Sequence, residues 1–172
     1  MKVKRVNPWL VSLSVSFLAI SSLLAVEKGG LLVEISKKTV NRNDKVTVNG
    51  VGNMEIDRDQ TLKMDVKNNS SKDLPETPIE SVVLVQRWGG ELSNLERFTG
   101  TAKIPPLHPG QTTSVDVGQF HIGGHMHGSS DRHVDKVFAW KISLMRDGQK
   151  VEFTSSSEFE AYDRRIKPGA NK

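Results

Sequence analysis

The sequence predicts a single antiparallel β-sandwich of about seven strands behind a secretory signal. Three observations carry this. Apolar residues alternate with polar ones at period two through most of the chain, while helical periodicity is nearly absent. Clusters of Gly, Pro, Asn, Asp and Ser separate the alternating segments, as turns do. The N-terminus, "MKVKRVNPWLVSLSVSFLAISSLLAVEKGG", sets Lys2, Lys4 and Arg5 before an apolar run from Trp9 to Ala25.

That run barely reaches the roughly 17 residues a membrane helix needs. Ser12, Ser14, Ser16, Ser21 and Ser22 dilute it further. The expectation is a signal peptide, residues 1–25, cut after Ser21 or Ala25, and a periplasmic or extracellular destination. The alternative is an uncleaved N-terminal anchor, in which case the membrane is met only through this segment. The chain has no cysteine. It therefore carries neither a lipid-modified Cys nor disulfides, although export leads to an oxidising compartment.

After a flexible lead-in (26–30), the domain is expected to span 31–162. "LLVEIS" (31–36) and "KVTVNG" (45–50) supply two short strands. "TLKMDVK" (61–67) places Leu62, Met64 and Val66 on one face and stops at the turn "NNSS". "IESVVLVQRW" (79–88) is apolar on both parities from Val82 to Val85, which fits a central strand, and ends at Gly89-Gly90. "TTSVDVGQF" (112–120) alternates through Val115 and Val117. Gly118 then marks a bulge, because Phe120 and Ile122 fall on the other parity.

The last two strands lie in "VDKVFAWKISLMRDGQKVEFTSS" (134–156). Phe138, Trp140, Ile142 and Leu144 share a face, with Trp140 in the core. Asp147-Gly148 makes a two-residue hairpin turn, since both residues tolerate positive φ. Folding there sets Val151 against Leu144 and Phe153 against Ile142, so turn chemistry and hydrophobic register agree. The tail "DRRIKPGANK" (163–172) is basic and expected to be disordered.

Charge excludes one class of partner. The chain carries 24 Lys and Arg against 20 Asp and Glu, but three bases lie in the signal and four in the tail. The body, 26–162, holds 17 bases against 19 acids, with no clustered basic footprint for nucleic acid.

The stretches "LKMDVKNNSSKDLPETPIESVVLVQRW" and "PPLHPGQTTSVDV" resemble bacterial extracytoplasmic immunoglobulin-like modules of the FxLYD or CARDB kind. Those pair a strand ending in Asn-Asn-Ser with a later Pro-Gly-Gln/Glu-Thr turn that opens another strand. The likeness spans about residues 60–120. It implies an immunoglobulin-like sandwich and a non-enzymatic role in the cell envelope. An envelope protein or a second copy of the chain would be the partner, met by an edge strand or end loops. The Phe-x-Leu-Tyr-Asp signature is absent, so no functional residue carries over.

The remaining signal is "HIGGHMHGSSDRH" (121–133), which holds four of the five histidines, with His108 just upstream. It is expected to be a glycine-rich connection at one end of the sandwich. If extended, His125 and His127 project from one face, and His121 or His133 can complete a metal site. Asp131 or Asp135 would ligate or orient an imidazole. Such ligands suit zinc, copper or nickel; Met126 would add a donor for Cu(I), but it has the opposite parity. The plain alternatives are a solvated loop or a contact that titrates near pH 6.5.

"HMHGSSD" is similar in order to the cupin metal motif, His-x-His followed by Glu. It has Asp131 in place of Glu, an altered glycine spacing and no later histidine. Catalysis finds no other support. There is no thiol and no G-x-S-x-G elbow, and Ser129, Ser130, Asp131 and His133 crowd together along the chain. Asp57 and Asp59 read as a solvated turn, and Trp88 as a surface aromatic able to stack on a sugar.

Overall fold

The computed structural model describes residues 25–49, 51–89, 94–127 and 131–166. The residues up to Leu24, where a signal peptide is expected, and those from Lys167 lie outside the described residues. Within them the chain is all-β with one short helix, and its antiparallel sheets curl into a half-barrel. The strands are β1 (Ala25–Lys28), β2 (Leu31–Arg42), β3 (Lys45–Asn49), β4 (Val51–Asn68) and β5 (Thr77–Gln86). They continue with β6 (Leu95–Ile104), β7 (Thr112–His127), β8 (Asp131–Val134), β9 (Lys136–Arg146) and β10 (Gln149–Thr154), before helix α1 (Phe159–Asp163). One sheet runs β1-β2-β4-β7-β8 with β3 also on β4; the other runs β10-β9-β5-β6.

One hydrophobic core lies between the sheets. Leu31, Val33, Leu62, Met64, Val66, Val117, Phe120 and Ile122 come from the first sheet. They meet Ile79, Val83, Val85, Ile104, Ile142, Leu144, Val151 and Phe153 from the second. Each such side chain contributes roughly 1.5–3 kcal/mol when fully buried.

The β9–β10 hairpin has the register the sequence dictates, Val151 opposite Leu144 and Phe153 opposite Ile142. Asp147 and Gly148 both have positive φ, 49° and 75°. The bulge at Gly118 is present too, because the β4–β7 register steps from Thr61↔Gln119 to Leu62↔Val117.

Several expectations are corrected. Residues 26–30 are not a loose lead-in. Val26 to Lys28 belong to β1, which pairs with β2, and Gly29 and Gly30 make the turn with φ of 60° and 70°. Phe138 does not share a face with Trp140. The β5–β9 register steps from Leu84↔Ala139 to Val85↔Val137, which leaves Phe138 as the bulged residue. Phe138 therefore packs outside the second sheet in a cluster with Leu84, Ala139, Phe159, Tyr162 and Ile166. This explains why β5 is apolar on both parities: α1 covers its outer face. It also ties residues 163–166, expected to be the start of a disordered tail, to the domain.

Strand β6 was not expected at all. Its inward positions are Phe98, Gly100, Ala102 and Ile104, too small at the centre to mark a hydrophobic alternation. The cause is the corner between the sheets. A Cβ on Gly100 would lie 2.5 Å from the Gly118 Cα. Only paired glycines let β6 and β7 approach so closely.

The long strands of the first sheet outrun the core. β2 continues past Ser36 to Arg42, and β4 begins at Val51 rather than Thr61. Asp44 fastens this extension at the kink between β2 and β3. Its buried carboxylate accepts hydrogen bonds from Arg58 Nε, Arg42 Nε and the Asp57 backbone N–H. Arg58 first, with Arg42 and Asp57 behind it, holds the Asp44 carboxyl far below the usual carboxylate range against the cost of its burial.

Candidate functional site

The histidine segment is strand, not loop. His121 to His127 complete β7 and pair with Asn53 to Asp59 of β4, and β8 folds back along it. Gly128 to Ser130 lie outside the described residues. Two of the glycines have a different use from the expected one. Gly123 sits in the β4–β7 ladder. At Gly124 (φ 151°) a Cβ would lie 2.3 Å from the His133 carbonyl oxygen, so the glycine admits β8 alongside. Asp57 and Asp59 lie in β4, not in a turn.

Residues directly opposite in antiparallel strands share a face. The register therefore sets Glu55, His125 and His133 in one row across β4, β7 and β8, and Asn53 beside His127 in the next. Asp59 pairs with His121 further along. This face turns away from the core, because the alternate residues Ile56, Ile122 and Phe120 are the buried ones.

The histidines do not act as one group of four. His125 lies 5.2 Å from His133 and 5.3 Å from His127, measured between ring centres. His121 is four residues away, about 13 Å along an extended strand. Its Nδ1 is instead 3.3 Å from Asp59 Oδ1 and 3.7 Å from Asp57 Oδ1. Asn41 first and His121 second lower the Asp59 pKa. His108 is elsewhere, with Nδ1 2.9 Å from Asp73 Oδ1. Asp131 is the backbone partner of His127. Met126 pairs with Met54 on the opposite face from the histidines. Among the described residues, no three His, Asp or Glu side chains converge on a metal position as they stand.

Asp135 is a positioning residue. Its carboxylate, only 8% exposed, accepts from Arg87 Nη1, the Trp88 backbone N–H and the Gly123 backbone N–H. Arg87 also donates to the His121 carbonyl oxygen and to Glu96. Burial opposes the Arg87 charge, but the Asp135 and Glu96 carboxylates outweigh it and raise its pKa. The end of β5 is thereby locked to the edge of β7.

The lock fixes Trp88. Its indole meets His133 at 4.5 Å and His125 at 4.9 Å, both edge to face, yet the residue remains 50% exposed. Beside it opens a cleft of about 390 Å³ lined by Arg87, Trp88, Arg132, Val134, Asp135 and Lys136.

Comparison with known protein families, characterised proteins and solved structures finds no match. The site therefore rests on its own geometry. Sequence reasoning singled out the histidines but not Asn53 and Glu55, which face them, nor the contact with Trp88. The first of these had a signal. In "NMEIDRDQ" the polar residues Asn53, Glu55, Asp57 and Asp59 fall on one parity, continuous with the alternation that runs to Val66.

Proposed function

We propose that this chain is an exported, non-enzymatic β-sandwich of the immunoglobulin-like kind that works as a protein-binding module of the cell envelope. The observation that carries the reading is Trp88. A large aromatic surface, half exposed and held rigid from behind by Asp135, sits between two imidazoles and a cleft bearing Arg87 and Arg132. Trp and Arg held in a preorganised patch are the residues that dominate protein–protein binding energy.

The strand order supports the fold assignment. Without the short β1, β3 and β8, seven strands remain, divided 1-2-5 and 7-6-3-4 between the sheets. This resembles the immunoglobulin division of strands, from which it differs in carrying the fourth on the second sheet. The basic N-terminus and apolar run support export.

The test is a photo-crosslinking residue placed at Trp88, compared with one at Val40, an exposed residue elsewhere on the first sheet. A discrete adduct from position 88 in the envelope fraction, absent from position 40, is expected. Retention of the chain in the cytosol, or equal labelling at both positions, contradicts the reading.

A further inference from the structure

We propose that His125, His127 and His133 are the protein ligands of a binding site for one divalent transition-metal ion on the outer face of the β7–β8 hairpin. The inference does not depend on the binding role above. It starts from spacing. An imidazole nitrogen sits about 2.0–2.1 Å from a zinc-like ion, so ring centres lie ~3.2 Å from it and two rings on one tetrahedral ion are ~5.2 Å apart. His125 lies 5.2 Å from His133 and 5.3 Å from His127. The backbone thus spaces the central ring from each neighbour as two ligands of one ion are spaced, while the three rings as they stand do not converge on one position. The cross-strand pair His125↔His133 and the i, i+2 step to His127 fix those separations through the register. What ligation adds is a pivot of the rings, which now stand 53° and 67° to one another.

A second, independent observation lies on β4. The Asn53 Oδ1 is buried and has no hydrogen-bond partner among the described residues. It belongs to the residue directly opposite His127. A ligating histidine donates its other ring N–H to an outer acceptor, which sets its tautomer and orientation. Asn53 supplies that acceptor for His127, and Glu55, opposite His125, supplies one there. Trp88 packs on His125 and His133 and limits where they can turn.

The donor set selects the ion. Three neutral imidazoles suit Zn²⁺, Cu²⁺ or Ni²⁺ over Ca²⁺ or Mg²⁺, which prefer oxygen. Met126 is on the opposite face, so thioether-assisted Cu(I) binding is not part of the site. His121 is excluded by its distance along β7.

Zinc titration of the full chain by calorimetry tests the assignment, beside His125→Ala, His133→Ala and His121→Ala. The expected result is one Zn²⁺ per chain with a dissociation constant on the order of micromolar or tighter. His125→Ala should weaken it by ~100-fold and His133→Ala by at least ~10-fold, with His121→Ala unchanged. Cu²⁺ should quench Trp88 fluorescence in the parent chain and not in His125→Ala, with Trp88→Phe identifying the emitting indole. Because an alanine could disturb the hairpin, His125→Gln is compared by circular dichroism and must lose zinc while keeping the fold. Binding weaker than about millimolar, binding indifferent to His125, or an equal loss in His121→Ala each overturns the proposal.

Discussion

Strands β4 and β7 pass through two regions with opposite characters. In the core half, Leu62, Met64, Val66 and Val117 are buried against the second sheet, and the outward residues are Lys63, Asp65 and Asp116. In the distal half the same strands carry Asn53, Glu55, Asp57, Asp59, His121, His125 and His127 on the outer face, with β3 and β8 as flanks. The hydrophobic alternation thins there, and Val46 of β3 is 65% exposed. The difference teaches that one pair of strands can divide its work. The core half supplies most of the stability, and the distal half, held at its root by Asp44 and Asp135, presents chemistry that adds little to it.

The largest effect is expected where the halves meet the second sheet. Gly100→Val forces a side chain into the Gly118 backbone, and a loss of at least ~3 kcal/mol, enough to prevent folding, is expected in expression and circular dichroism. A variant that melts like the parent would show that the corner is not closed. Next comes Leu62→Ala, fully buried in the core half, which should cost about 3 kcal/mol in denaturant unfolding.

Asp44→Asn should cost about 2 kcal/mol at neutral pH, because it leaves Arg58 without its carboxylate. The sign of its pH dependence follows from the depressed pKa. The contribution is fully present above the unfolded carboxyl value, about 3.9, and is lost as pH falls towards the much lower folded value. Parent and variant should therefore converge in stability below about pH 4 and differ most above it. Urea melts across that range would show a constant gap if Asp44 were not ionised in the fold.

The smallest effects belong to the distal face. Trp88→Ala should change stability by under about 1 kcal/mol, since half of the indole is already in water, yet abolish the position-88 contact. His121→Ala should shift it by no more than ~0.5 kcal/mol, as expected for an exposed histidine–carboxylate pair. A loss of several kcal/mol in either would break the division between the halves.

Much of the core half was legible in the sequence because burial on one face writes itself as alternation. The β9–β10 register and the Gly118 bulge followed from parity alone. What was not legible has physical causes. Strand β6 is muted because the corner requires glycine and alanine where apolar bulk would have marked it. Phe138 switched face because a bulge in β9 shifts parity without a glycine to announce it. The distal half reads as loop because Gly123 and Gly124 signal turns locally, whereas in the fold the bare Gly124 lets β7 accept β8 closely and Gly123 donates its backbone N–H to Asp135. The grouping of His125, His127 and His133 apart from His121 needed the β8 register, which no spacing along the chain reveals.

Native-state amide hydrogen exchange tests the division between the two halves most directly. The prediction is slow, globally limited exchange in β5, β9 and the Leu62–Val66 part of β4, against faster local exchange in β3, His121–His127 and β8. Added zinc should slow the amides of His125, His127 and His133 and leave β5 and β9 unchanged. Uniform protection along β4 and β7, or zinc protection spread over the core strands, would contradict the account.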